Sequence, residues 1–413
     1  MRRWLTGMAL ALLAPAVLAT SVAPQLVVDG QVLLAQSADG RVRLVHRAGD
    51  RAAVSVPALT RALAPYHRAG REPLVRVPAL AWEQERRVTP LDGFDYLLAG
   101  SARLSADGGT LAVGAGREGA LDAWLIRRGQ APERMLPTAM ARYSSVTDIS
   151  ADGRTVVGWL LDRQSVARGF LWRERRGVRL LPDPLLLPLA VSADGAELLA
   201  SSDREDRDSL RRKALSAVLD PDAALLPGDP GVSLWRIGES PTQLAAEGRA
   251  LAYARLQGAV LWRTREPGRL TVRLGHESQT FEADALAAGQ VDRVSGGTMA
   301  ANGHALLLQG RRNSLLLTPM QKLPLPAGLL ADSVTFSSDG RQVAALFRAS
   351  DRPGERALRA WWRDLTQDDS RRLRCAGDPA AGRLFLSADG YRLTLAGQAG
   401  GYCVFDLAPE VQP

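Results

Sequence analysis

From residue 145 to residue 181 short apolar runs alternate with polar breaks, at a spacing too tight for helices. Ser145–Ile149 is β-prone, and Ser150-Ala151-Asp152-Gly153 interrupts it. Thr155–Leu161 is a second run, rich in β-branched and aromatic residues, followed by a polar loop at 162–168. Gly169–Arg173 (GFLWR) and Gly177–Leu181 (GVRLL) complete the set, closed by Pro182. Four runs separated by turn chemistry predict a four-stranded antiparallel meander. In the first break Asp can accept from nearby backbone amides, and Gly tolerates positive φ.

The same grammar recurs. SADG stands at 37–40, 105–108, 150–153, 192–195 and 387–390, with SSDG at 337–340, AANG at 300–303 and AAEG at 245–248. From Asp39 to Asp389 the seven steps average 50 residues, close to one four-stranded propeller blade. The third run of a unit often carries Trp: Trp82, Trp124, Trp172, Trp262, and Trp361 or Trp362. One blade buries little alone, whereas blades stacked around an axis hide both faces, and a repeated Trp fills the gap between neighbours. The expectation is an all-β fold: a β-propeller of four-stranded antiparallel blades, about eight in number, with seven as the alternative if the degenerate fifth and sixth units are miscounted. So many copies of one Asp at one structural position read as turn chemistry, not as one active site.

Units built from S-x-D-G, a β-run and a Trp-bearing strand resemble the WD40-like repeats of exported bacterial propellers of the TolB type. "DISADGRTVVGW…GFLW" resembles the HAF repeat in particular. Ala replaces the usual Pro before Asp, and Glu247 and Asn302 replace Asp. The resemblance implies an exported propeller whose task is binding; it transfers no catalytic residue.

The last unit shows three strands, Arg383–Leu386, Tyr391–Ala396 and Tyr402–Leu407, and then the chain ends. Gln25–Asp29 (QLVVD) is unassigned and apolar enough to supply the fourth, antiparallel to Tyr402–Leu407, closing the ring. Cys375 and Cys403 are the only cysteines, lie in neighbouring units, and are expected to form a disulfide in an oxidising compartment.

The N-terminus points to that compartment. Arg2 and Arg3 precede an apolar stretch, Trp4–Leu18, and Val17-Leu18-Ala19 fits a cleavage site. Residues 1–19 read as a signal peptide and residues 20–413 as a single propeller domain, periplasmic or secreted, monomeric, with no transmembrane span after processing. The net charge of +8 changes little, because the basic residues are almost all arginines spread along the chain, without a nucleic-acid reader motif. Two insertions depart from the repeat. Residues 58–73, with Tyr66, His67, Arg68 and Arg71, are the candidate partner-contact loop, expected as a short helix and loop. Residues 201–213 carry Asp203, Asp206 and Asp208, but interleaved arginines oppose a calcium site. His46, His67, His276 and His304 are scattered and lack ligand spacing. No catalytic, cofactor or metal residues are assigned. The reading is a non-catalytic interaction module with an envelope or periplasmic protein partner; the rival is an enzyme or carbohydrate-binding propeller with a site at the channel mouth.

Overall fold

The computed structural model describes residues 20–47, 74–202, 231–282, 296–348, 358–375 and 382–408, apart from short stretches inside these spans. Antiparallel sheets follow one another along the chain as propeller blades. The unit read first from the sequence is one of them: Tyr143–Ile149, Thr155–Leu161, Ala167–Arg173 and Gly177–Leu180 pair in that order. Its second strand is buried along its whole length, as expected for a strand covered by blades on both sides.

The expectation of eight, or seven, regular blades is corrected: six sheets are four-stranded. The other strands belong to a six-stranded and a five-stranded sheet. In the six-stranded sheet the inner strand is broken by a 3-10 turn at Ala99–Ser101 into Tyr96–Leu98 and Arg103–Leu104. Leu74–Arg76, directly after the first-unit insertion, then adds to Tyr96–Leu98. Among the described residues there is no α-helix, and Tyr66, His67, Arg68 and Arg71 lie outside them.

A second correction concerns the fifth turn. AAEG at 245–248 does not join first and second strands; it connects Thr242–Ala245, the last strand of one blade, to Arg249–Ala254, the first of the next. The hairpin is Ala254–Gly258 instead, with the Gly258 amide on the Ala254 carbonyl and Gly258 at φ +65°. The strands that follow are therefore displaced by one. Ala259–Arg263, which carries Trp262, is a second strand, and Arg269–Leu274 is a third.

Between blades, tryptophans pack as the repeat implies. Trp172 sits among Ala112, Leu125 and Ile149, and Trp235 among Val157, Leu171 and Val191. Arginines stack on two of the rings: Arg127 lies 5.6 Å from the Trp172 ring centre and Arg371 5.2 Å from that of Trp362.

The chain ends meet at the last two blades. Leu26–Val28 pairs antiparallel with Tyr402–Asp406, in the register Leu26↔Val404, Val27↔Cys403, Val28↔Tyr402. Thr20–Val22, unassigned from the sequence, runs parallel to Ser370–Leu373 and makes the neighbouring sheet five-stranded. The N-terminal segment thus lies along the outer edges of two adjacent sheets. Cys375 and Cys403 join the same two sheets by a disulfide, with 5.9 Å between their α-carbons, ordinary bridging geometry. Arg371 adds a third tie, donating from Nη1 to the Leu407 carbonyl.

Deleting residues 20–28 removes both added strands and should lower the melting temperature by about 5 °C or more, whereas trimming residues 410–413 should shift it by less than about 1 °C. Reducing the Cys375–Cys403 bond opens a loop with a sequence separation of 28. In the chain-entropy account this costs roughly 3–4 kcal/mol, readable as a lower denaturant midpoint under reducing conditions.

Candidate functional site

Each Ser-Asp turn is a self-contained network. The buried Ser hydroxyl donates to Asp Oδ1 at 2.5–2.7 Å in all six Ser/Asp copies. It also accepts from the amide five residues after it, at 2.9 Å. The Asp in turn accepts from the amide two residues on, at 2.9–3.1 Å. One oxygen of each carboxylate, Oδ1, is thus committed inside its own hairpin. The Ser105 hydroxyl holds the Asp107 carboxyl below the usual carboxylate range, and Ser192 does the same for Asp194, each helped by a backbone amide.

The turns are also joined to one another. The Ala38 amide donates to Ala106 O, Ala106 to Ala151 O, Ala151 to Ala193 O and Ala193 to Arg255 O, at 2.8–2.9 Å. The Leu256 amide continues to Ala301 O, and the Asn302 side-chain amide reaches Asp339 O. Ser338 donates to Ala388 O, and Ala388 returns to Ala38 O, so the circuit closes on itself.

The glycine of a turn needs its missing side chain twice over. Gly153 is at φ +72°, and a Cβ there would stand 2.9 Å from Thr110 Cβ of the preceding blade. Gly108 meets Val42 in the same way, Gly390 meets Gln342, and Gly40 meets Arg392 across the closure. In these copies the residue five places after Ser in one unit lies under the glycine of the next.

This turn face carries a cleft of about 270 Å³, lined by Asp152, Arg154, Thr155, Arg173, Glu174, Arg175, Arg176 and Asp194. Two first-strand turns and the hairpin after Ala167–Arg173 form its walls. Asp152 and Asp194 are committed as above. Glu174 lies 3.2 Å from Arg127 and 3.4 Å from Arg154. Arg175 is held at φ +63°, the one non-glycine residue with positive φ among those described.

The next turn along the circuit departs from the repeat. Lacking Ser and Asp, it uses Arg255, which donates from Nε to Val191 O at 3.0 Å, contacts Ile149 O, and lies 3.5 Å from the buried Asp148. Arg255 thereby reaches across two blades. Its neighbour Leu256 is 56% exposed, the most exposed large apolar side chain among the described residues.

Sequence reasoning identified the turns but none of Arg173, Arg175, Arg176, Arg255 or Leu256 as site residues. The available signal was "RERRG", 173–177, where a hairpin carries Arg at a position that favours Gly or Asn. Of the histidines, His46 is buried and His304 donates its amide to Asn302, while His67 and His276 lie outside the described residues. The 203–208 aspartates also lie outside them.

No family model matches the chain, and no curated protein matches it. Solved structures do. The C-terminal WD40 domain of Sif2 is similar with a TM-score of 0.50, at 12% identity over 94% of this chain and 95% of that one. The Dos1 propeller is similar with a TM-score of 0.53, at 10% identity over 95% and 96%. At such identities the likeness concerns fold alone: a WD40-type β-propeller spanning nearly the whole chain.

Two predictions follow from the turn geometry. Gly153→Ala imposes a left-handed φ on a β-carbon and drives it into Thr110. It should destabilise by more than Ser150→Ala, which leaves buried groups unpaired at roughly 1–3 kcal/mol; chemical denaturation measures both. The second is a pH dependence. The folded Asp107 and Asp194 have depressed pKa values, so their contribution is complete above the unfolded aspartate value of about 3.8. It is lost as pH falls through the lower folded values. The fall in melting temperature between pH 5 and pH 2.5 should be shallower in the D107N/D194N variant.

Proposed function

We propose that this chain is an exported, non-catalytic β-propeller that serves as a protein-interaction module in the cell envelope or periplasm, of the TolB or HAF kind. The observation that carries the reading is the turn face. A closed circuit of hydrogen bonds, backbone at every link except the Asn302 side chain, holds its loops in fixed relative positions, and each Ser/Asp turn commits one carboxylate oxygen to its own hairpin. Rigidly placed loops that expose arginines and an apolar side chain suit recognition of another protein surface. The apolar segment before residue 20, with its Arg2-Arg3 start, supports export, and so does a disulfide between adjacent sheets. No helix among the described residues is long and apolar enough to cross a membrane.

Export is tested by sequencing the N-terminus of protein recovered from an osmotic-shock fraction. Thr20 is the expected first residue; intact Met1 in a membrane fraction contradicts it. The interaction reading is tested in the same cells with a photo-crosslinking residue at Leu256 on the turn face, or at the exposed Arg163 in a loop between second and third strands. A discrete adduct with an envelope protein from position 256 and none from 163 is the expected result. Adducts from neither position overturn the turn face as the recognition surface.

A further inference from the structure

We infer that the cleft between the 173–177 hairpin and the Asp152 and Asp194 turns binds an acidic peptide segment, with Leu256 receiving an apolar residue beside it. The inference rests on the interaction reading above and specifies its ligand.

The first argument is charge left unspent. Each carboxylate in the cleft wall is engaged in part: Asp152 and Asp194 through Oδ1 in their turns, Glu174 through one oxygen with Arg127 and the other with Arg154. Arg173, Arg175 and Arg176 have no ion pair or side-chain hydrogen bond among the described residues, although all three line the same cleft. A guanidinium presents forked donors that match a carboxylate in two bonds. The four arginines of the lining exceed its three carboxylates by one, so the concavity suits an added anionic side chain.

The second argument is conformation. Arg175 occupies left-handed backbone space, where Gly would sit without strain, at a cost of roughly 1–2 kcal/mol. Gly177, two residues on, takes φ +69° and shows that the hairpin accepts glycine readily. Arginine at position 175 lowers stability and adds only a side chain directed at the cleft region, the kind of local strain found where a loop binds.

Size and neighbourhood select the ligand class. A cleft of about 270 Å³ is at the small end for ligand sites and takes one or two side chains, not a whole cofactor. A duplex or a bilayer surface is too broad to enter a cleft of this size, whereas one or two acidic side chains fit. Asp194 belongs to the turn whose Ala193 amide donates to Arg255, so the exposed Leu256 stands one step farther round the circuit. Basic groups beside an apolar knob fit a peptide in which glutamates or aspartates flank an apolar residue.

The test uses the mature chain and a fluorescein-labelled twelve-residue peptide of glutamates around a central Leu-Phe pair, titrated by fluorescence anisotropy at 50 and 150 mM NaCl. The comparison probes are the same peptide with lysines for glutamates, a labelled single-stranded twelve-nucleotide DNA, and vesicles containing phosphatidylglycerol. The acidic peptide should bind and weaken with salt; the lysine peptide should not bind. Arg175→Gly combined with Arg176→Ala should raise its Kd about tenfold or more. Leu256→Ser should raise it about threefold to tenfold. Arg175→Gly alone should keep or raise the melting temperature while weakening binding, which separates lost recognition from lost folding. The proposal is overturned if the acidic peptide does not bind, or if its affinity is unchanged in the double variant. It is equally overturned if DNA or vesicles bind as tightly with the same dependence on Arg175 and Arg176. If it fails while crosslinking from position 256 persists, the interaction reading stands and only the cleft assignment falls.

Discussion

The fold depends on one small contact made repeatedly: the backbone amide of a turn in one unit donating to the carbonyl of the corresponding turn in the next. Six of the turns are first made rigid by their own Ser and Asp, whose hydrogen bonds satisfy amides that a tight hairpin would otherwise leave exposed or unpaired. A rigid turn can then hold a fixed position against its neighbour. The glycine permits the left-handed backbone and the close approach at once. Apolar packing between blades supplies most of the driving force. That packing is nearly non-directional, so the turn circuit and the glycine contacts set how one blade is placed on the next.

A circuit has to close, and closure is where this chain adds extra means. The Ala388–Ala38 hydrogen bond and the Gly40–Arg392 contact join last unit to first on the turn face. On the outer edges Leu26–Val28 and Thr20–Val22 cap two adjacent sheets, and the disulfide links those sheets covalently. The closing contact also buries polar atoms. Buried side-chain atoms of Gln36, Arg392 and Thr394 lack hydrogen-bond partners there, which weakens it relative to an all-apolar contact. Extra ties at the one place where the chain is not continuous offset that weakness.

Much of this was legible because the signals are local. Ser-Ala-Asp-Gly carries its whole mechanism in four residues, and the strands around 143–180 follow from alternation and turn chemistry alone. The N-terminal strand was legible by counting strands in the final unit. The fifth turn was not, because Ala254–Gly258 has neither Ser nor Asp, and its support comes from Arg255 reaching residues about 60 and 100 positions earlier. A decoy, AAEG, stood ten residues away. The six-stranded sheet was hidden for a similar reason: the strand that enlarges it, Leu74–Arg76, directly follows an insertion in the preceding unit. The cleft was invisible because its walls come from two different units, and no run of sequence announces which arginines lack partners once the blades are stacked.

If turn-to-turn hydrogen bonds fix the placement of successive blades, their amides cannot open without loosening the propeller. Native-state hydrogen exchange, read at the Ala106, Ala151, Ala193 and Ala388 amides, tests this most directly. The account predicts that these four amides, although they sit in hairpin turns, exchange as slowly as the central-strand amides of Val156 and Val157 and at a common opening free energy. Exchange at the rate of an exposed turn, independent of the strands, would contradict it.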